Sequence, residues 1–426
     1  MELTAKDYEE ILRSELIPAL GCTEPIAIAL AAAKARDVLG MEPEHLELFC
    51  SGNIVKNVKG VTVPNSGGMK GIDVAGILGT VCGNAERDLE VLSDASAADV
   101  ERTKELLAAH YADCHLQEDV TGLYVRAEVC AKGHKASVTI EGMHTFVSRI
   151  EKDGEVLRDA KPEKSAGGSE KKKDLTMRGI YDYALTADLT PVRDILLRQI
   201  EYNEAISKEG MTGKYGAAIG KTLLSSEGMS INVRARAMAA AGSDARMNGC
   251  ALPVVINSGS GNQGMTVSLP ILAYARELNV SEDTLLRALL IGNLTAIHQK
   301  TYIGSLSAFC GAVSAACGTG AGITFLYGGT FEQISSTVIN SLANTSGIIC
   351  DGAKASCAAK IASAVEAAII AHNMSMHNIT FKPGDGVIMD NVEDTMRSIG
   401  YVGRVGMKET DHDILEIMLG NVDFGC

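Results

Sequence analysis

The sequence predicts an α+β protein: a mostly helical domain, with a smaller α/β sheet domain inserted in the N-terminal half. Three observations lead there. From about residue 174 to 380, small and apolar residues recur at helical spacing, broken by short polar loops. Between residues 96 and 155, one amphipathic helix precedes three segments of strand-like alternation. The chain has 426 residues, 46% of them hydrophobic and 22% charged, which suits an ordinary globular protein of two or three domains.

Taken in order, residues 4–40 read as two helices broken at Pro18–Pro25, with Leu12, Leu16 and Leu20 at helical spacing in the first. Pro25 begins the second, where a missing N–H costs nothing. The intervening Ala19–Pro25 loop puts Cys22 and Thr23 at a helix N-terminus. Leu46–Cys50 alternates as a strand and runs into the Gly/Asn segment Ser51–Asn57; Val61–Pro64 likewise leads into Asn65–Gly71, and both segments read as loops. Ala97–His110 is the amphipathic helix, and Leu123–Cys130, Lys135–Glu141 and Thr145–Glu151 are the strands. Residues 153–173, with Gly167-Gly168 and Lys171-Lys172-Lys173, read as a solvated linker. The helical region that follows contains the polar loop Asn257–Gly264, and the tail has a strand-like Gly386–Met389 and a helix near Asn391–Ser398. The expected division is 1–90, N-terminal helices and loops packing on the helical domain; 91–160, the small sheet domain; and 174–426, the helical domain.

Charge and composition exclude several classes. The net charge of −14 leaves no basic excess for nucleic acid. The longest apolar run, Ile26–Ala33, is far short of the ~20 residues of a membrane span. The acidic N-terminus lacks an apolar signal region, so a cytoplasmic protein with no membrane partner is expected. Eleven cysteines in a reducing compartment, and an odd number of them, argue against a disulfide framework. Small-residue helices and the high apolar content are compatible with a homodimer.

Four cysteines fall in two pairs, Cys310/Cys317 and Cys350/Cys357, each seven residues apart. That spacing stacks two thiols on one helix face. It is too wide for zinc knuckles, whose paired ligands lie two to four apart, but compatible with an iron–sulfur cluster. It equally suits small residues that let helices pack closely.

Together Gly21–Pro25, Ser51–Asn57, Asn65–Gly71, Asn257–Gly264, the Cys310 segment and Ile349–Cys357 resemble, over nearly the whole chain, the L-cysteine desulfidase family. That family is related to the alpha chain of bacterial iron–sulfur L-serine dehydratases. The resemblance implies a [4Fe–4S] cluster held by three cysteines with one iron left open. It assigns the ligand role to Cys310 and Cys350, 40 residues apart, and to Cys357, 7 further on. The dehydratases have a longer second gap, and Cys317 is the competing thiol. Some dehydratases occupy the open iron with a C-terminal cysteine, a role open here to Cys426; a frayed terminus is the plainer reading.

The implied reaction is β-elimination from L-cysteine to pyruvate, ammonia and hydrogen sulfide. Cys22 is the candidate base, since a helix N-terminus lowers a thiol pKa; a fourth cluster ligand and a plain buried helix-start cysteine are its alternatives. Thr23, Asn53, Ser66, Gly67, Gly68, Asn257 and Ser258 are the candidate donors to the carboxylate of a small amino-acid substrate, although Asn and Ser in such loops equally serve turns. His298 and Lys300 would add charge beside the cluster, or else be structural. L-Serine dehydration is the alternative chemistry, and a non-catalytic cluster or metal-binding protein the alternative class. The dehydratases have Ser/His/Thr where this chain has Gly-Cys-Thr, which favours the desulfidase reaction.

Overall fold

Alternation in His45–Ser51 buries Leu46, Leu48 and Cys50 on one face, and this strand pairs on both sides. The computed structural model describes residues 3–120, 122–161, 170–304 and 307–424. It is α+β, as the sequence predicts. Six strands form one sheet in the order Ala112–Gln117, His45–Ser51, Tyr124–Ala131, His134–Glu141, Val147–Lys152, Glu155–Asp159. The first pair is parallel and the others antiparallel. The sheet is thus not confined to residues 91–160: its second strand comes from the N-terminal segment.

The sheet's inner face is covered by two helices, Thr23–Leu39 and Ile72–Cys82. The first is apolar on every side from Pro25 to Ala33, because that stretch is buried between the sheet and the rest of the protein; its Lys34, Arg36 and Asp37 lie at the more exposed C-terminal end. The second crosses it closely: a Cβ on Gly79 would stand 2.4 Å from the Ala29 carbonyl oxygen. Residues 1–90 therefore divide. Helix Ala5–Glu15 joins the helical core through Tyr8, Ile11 and Leu12, whereas Thr23–Leu39 belongs to the sheet core.

In the helical region, Gly311–Leu326 lies among Gly261–Glu277, Glu282–Ile303, Phe331–Thr345 and Cys357–Met376. Its Ala/Gly composition permits this. A Cβ on Gly318 would sit 2.2 Å from the Gly292 carbonyl oxygen, so the two backbones touch. Cys317 is fully buried in this helix and its thiol donates to the Ser314 carbonyl at 2.9 Å.

Several elements differ from expectation. Pro18–Leu20 is a short strand paired antiparallel with Pro253–Val255. Ser51–Asn57 is mostly helix, Gly52–Val58. Gly386–Met389 has no partner strand and forms turns, and Lys408–Leu419 is an additional helix. Lys171 and Lys172 are not free in a solvated loop: Lys171 pairs with Asp7 and Glu10, and Lys172 with Glu15. The linker residues 162–169 lie outside the described residues, as does Cys426. No helix among the described residues is long and apolar enough to cross a membrane.

Gly318→Ala is expected to lower the unfolding free energy by about 1–3 kcal/mol, because the new methyl meets backbone that cannot step aside. A urea titration measures it; an unchanged midpoint would show that the crossing has slack.

Candidate active site

Pairing of Pro18–Leu20 with Pro253–Val255 brings the Gly21–Pro25 turn beside the Asn257–Gly264 loop. Gly21 takes φ +59°, and a Cβ there would collide with Pro64 at 2.1 Å, so the turn requires glycine. Cys22 then caps helix Thr23–Leu39, and Thr23 Oγ1 donates to the Gly259 carbonyl at 3.0 Å, tying the two segments together.

Cys22 is almost fully buried and its thiol donates to Glu24 Oε2 at 2.9 Å. Burial pushes the thiol pKa well up, and the Glu24 charge adds to the effect; Arg246 opposes it. The expected lowering of this thiol by the helix N-terminus is therefore reversed. The helix start is present, but desolvation and an adjacent carboxylate outweigh a partial charge. Burial also works to raise Glu24, but His144, the Cys22 thiol and Arg246 outweigh it and hold the carboxyl down at about 2. His144 Nε2 lies 3.9 Å from Glu24 Oε1.

Cys310 caps Gly311–Leu326, and Cys357 opens Cys357–Met376. Cys310 and Cys350 are brought together by a short backbone ladder. Cys310 N–H donates to the Ile348 carbonyl at 3.0 Å and Cys350 N–H to Ala308 at 2.6 Å. Cys310, Cys350, Cys357 and Cys22 all line one cavity of about 500 Å3. Burial, then the neighbouring Cys350, pushes the Cys310 thiol up to about 12; burial also raises Cys357. The described cysteines are all free thiols. No group of three or more His, Cys, Asp or Glu among the described residues converges to hold a single metal ion. A cluster makes no such demand, because each thiolate binds a different iron.

Two charges support the wall. Lys300, buried, faces the cavity; burial lowers its pKa while Cys350 and Cys310 oppose this, and its ammonium makes no hydrogen bond or ion pair among the described residues. His298, two residues earlier and so about 200° around the helix, points away and binds Glu393 Oε2 at 2.8 Å. Lys56 is fully buried, ion-pairs with Asp411 and reaches the Cys350 carbonyl at 3.4 Å. Gly352, at φ +94°, presses on the Lys56 carbonyl, where a Cβ would stand 2.3 Å away. Helix Gly52–Val58 is thus the platform under the Cys350 loop.

The remaining candidates separate. Ser258 lines the cavity. Asn257 does not: its amide donates to Asn293 Oδ1 at 3.0 Å and its Oδ1 accepts from Ser258, which shapes the loop. Ser66, Gly67 and Gly68 lie off the cavity, Ser66 Oγ closing its own turn onto the Val63 and Met69 carbonyls. Asn53 is one helical turn from Asn57, which does line the cavity and donates to the Asn53 carbonyl at 2.8 Å.

Sequence reasoning missed Glu24, His144, Arg246, Asn262 and Gln263, all in the cavity wall. The last four each carry a buried polar atom with no hydrogen bond among the described residues: Arg246 Nε, Asn262 Oδ1, Gln263 Oε1, and His144 Nε2, whose nearest partner is the Glu24 carboxylate at 3.9 Å. Folded proteins pair such atoms, so their convergence marks a place for a ligand. A signal existed for Arg246, a charge at the end of the small-residue run Ala237–Ala245. His144, on a hairpin tip of the sheet, had none.

Asp411→Ala is expected to cost about 3 kcal/mol, since it strands the buried Lys56 ammonium. The double variant Lys56→Met/Asp411→Leu should recover part of the loss. Urea unfolding of the three proteins tests this, and an Asp411→Ala midpoint equal to wild type would show that the pair carries little.

The model of the serine dehydratase alpha chain family matches residues 86–416. A UPF0597 protein of Lachnoclostridium phytofermentans is 51% identical over 414 residues, covering 97% of this chain and 99% of its own length. A UPF0597 protein of Finegoldia magna is 49% identical over 417 residues, with 97% and 99% covered. That of Treponema denticola is 44% identical over 420 residues, with 97% of each covered.

Proposed function

The chain belongs to the serine dehydratase alpha chain family, and from that premise we propose that it is an iron–sulfur lyase converting L-cysteine and water to pyruvate, ammonia and hydrogen sulfide. The observation that supports this reading is that Cys22 shares one cavity with Cys310, Cys350 and Cys357. These three thiols, free and close enough that Cys350 and Cys357 raise Cys310 and Cys350 raises Cys357, are the donor set that a [4Fe–4S] cluster takes, and Cys317, buried against Ser314, is not among them. When bound through three thiolates, the cluster supplies an open iron, a Lewis acid suited to a thiolate leaving group.

The chain's own residues handle the proton. β-Elimination removes the Cα proton as the C–S bond breaks; the aminoacrylate released then tautomerises and hydrolyses. Cys22 is the proposed base. In the resting site the proton stays on sulfur and is donated to Glu24 Oε2 at 2.9 Å; a carboxyl held at about 2 does not take it, so Cys22 acts as a base only as the thiolate that the nearby Arg246 charge favours. The cavity wall of Ile256, Ile297, Phe309 and Ile361 keeps bulk water from the reacting carbon.

The decisive experiment is anaerobic purification with iron, sulfide and zinc analysis, and pyruvate and sulfide assays on L-cysteine and L-serine. About four irons with sulfide release from cysteine is the expected result. Turnover of serine alone would move the substrate to that of the alternative dehydratase. No iron after reconstitution would overturn the cluster. Cys22→Ala is expected to retain iron and lose about 10²–10⁴ in kcat, whereas Cys310→Ala, Cys350→Ala and Cys357→Ala lose the iron and Cys317→Ala does not. Full activity in Cys22→Ala would assign the base elsewhere.

A further inference from the structure

The cavity wall holds a buried guanidinium, Arg246, that no described residue pairs. Arg246, in the last turn of helix Ile231–Met247, is only 2% exposed. It lines the cavity, its Nε has no partner, and its guanidinium makes no hydrogen bond or ion pair among the described residues. It is close enough to draw down the pKa of both Cys22 and Glu24, but bonds to neither. The Asn257–Gly264 loop makes room for it: a Cβ on Gly261 would stand 2.5 Å from Arg246 Nε. A buried charge without a partner is costly, and proteins keep one where a ligand supplies the opposite charge. A planar fork of N–H donors matches a carboxylate.

We infer that Arg246 is the anchor for the substrate α-carboxylate and the residue that restricts the site to α-amino acids over the corresponding amines. The inference rests on the proposed lyase reading. Lys300, the other buried cation of the wall without a partner among the described residues, is the competitor. Its charge acts most on Cys350 and Cys310, the proposed ligands, and least on Glu24, whereas Arg246 acts on Cys22 and Glu24 and has its Nε beside Gly261 of the Asn257–Gly264 loop. A carboxylate held at Arg246 therefore leaves the Cα–H toward Cys22 and the side chain free to extend toward the three thiols.

The test is calorimetric titration of L-cysteine, L-serine and cysteamine, the last lacking the carboxylate, into anaerobic, cluster-loaded wild type, Arg246→Met, Arg246→Lys and Lys300→Met, each with Cys22→Ala added so that the amino acids bind without being consumed. Wild type is expected to bind the amino acids at least ~30-fold more tightly than cysteamine, the size of a charge-assisted contact. Arg246→Met should bring them down to the cysteamine level, with Arg246→Lys between, because it keeps the charge and loses the fork. A second readout separates this role from a structural one: without ligand, Arg246→Met should unfold at the same or a higher urea concentration, since a stranded charge has been removed. Amino-acid affinity unchanged in Arg246→Met, or lost only in Lys300→Met, overturns the inference and leaves the lyase reading intact. Wild type that binds neither amino acid overturns both.

Discussion

Backbone-to-backbone contact between helices is the constraint on which the molecule depends. Four cysteines from positions 22, 310, 350 and 357 share a wall only because the helices carrying or flanking them approach to touching distance. Gly318 lies on Gly292, Gly210 on Ala241, Gly220 on Ala237 and Gly79 on Ala29, each with room for a hydrogen and none for a methyl. The abundance of Gly and Ala that looks featureless in the composition is the means by which three distant segments enclose a volume of small-molecule size.

Within that volume, polarity is graded. One end gathers thiols with Lys300; the other gathers Cys22, Glu24, His144 and Arg246. Cys22, Glu24, Arg246 and Lys300 are all buried, so each charge acts strongly on its neighbours. This explains why Cys22 does not behave as a helix-capping thiol would in the open. The partial positive charge of the helix start competes with a full negative charge two residues away and with desolvation, and it loses. The sheet contributes to the same gradient through a single hairpin tip, His144.

What was legible in the sequence had a local period or a motif. The alternation in Leu46–Cys50, Leu123–Cys130 and Lys135–Glu141 marks real strands, and the helical spacing beyond residue 174 marks real helices. The cysteine segments and the Gly21–Pro25 turn do meet in one cavity. What was not legible depends on distant partners. Pro18–Leu20 is a strand only because Pro253–Val255 pairs with it, while Gly386–Met389 alternates and finds no partner. Ser51–Asn57 reads as loop from its Gly and Asn, but buried Lys56 and Ile54 hold it as helix. Buried charges are the hardest case: Lys56, Glu24 and Arg246 look like surface residues in any window of sequence, and only the assembled interior gives the first two partners and leaves Arg246 without one among the described residues.

The hydrogen bond from Cys22 to Glu24 has a consequence for chemical durability. Oxidants and alkylating agents attack the thiolate, not the thiol. A sulfur that is buried and holds its proton against a carboxylate is kept in its inert form between turnovers. In the folded protein the exposed Cys114 is the thiol that such reagents meet, and Cys22 is spared.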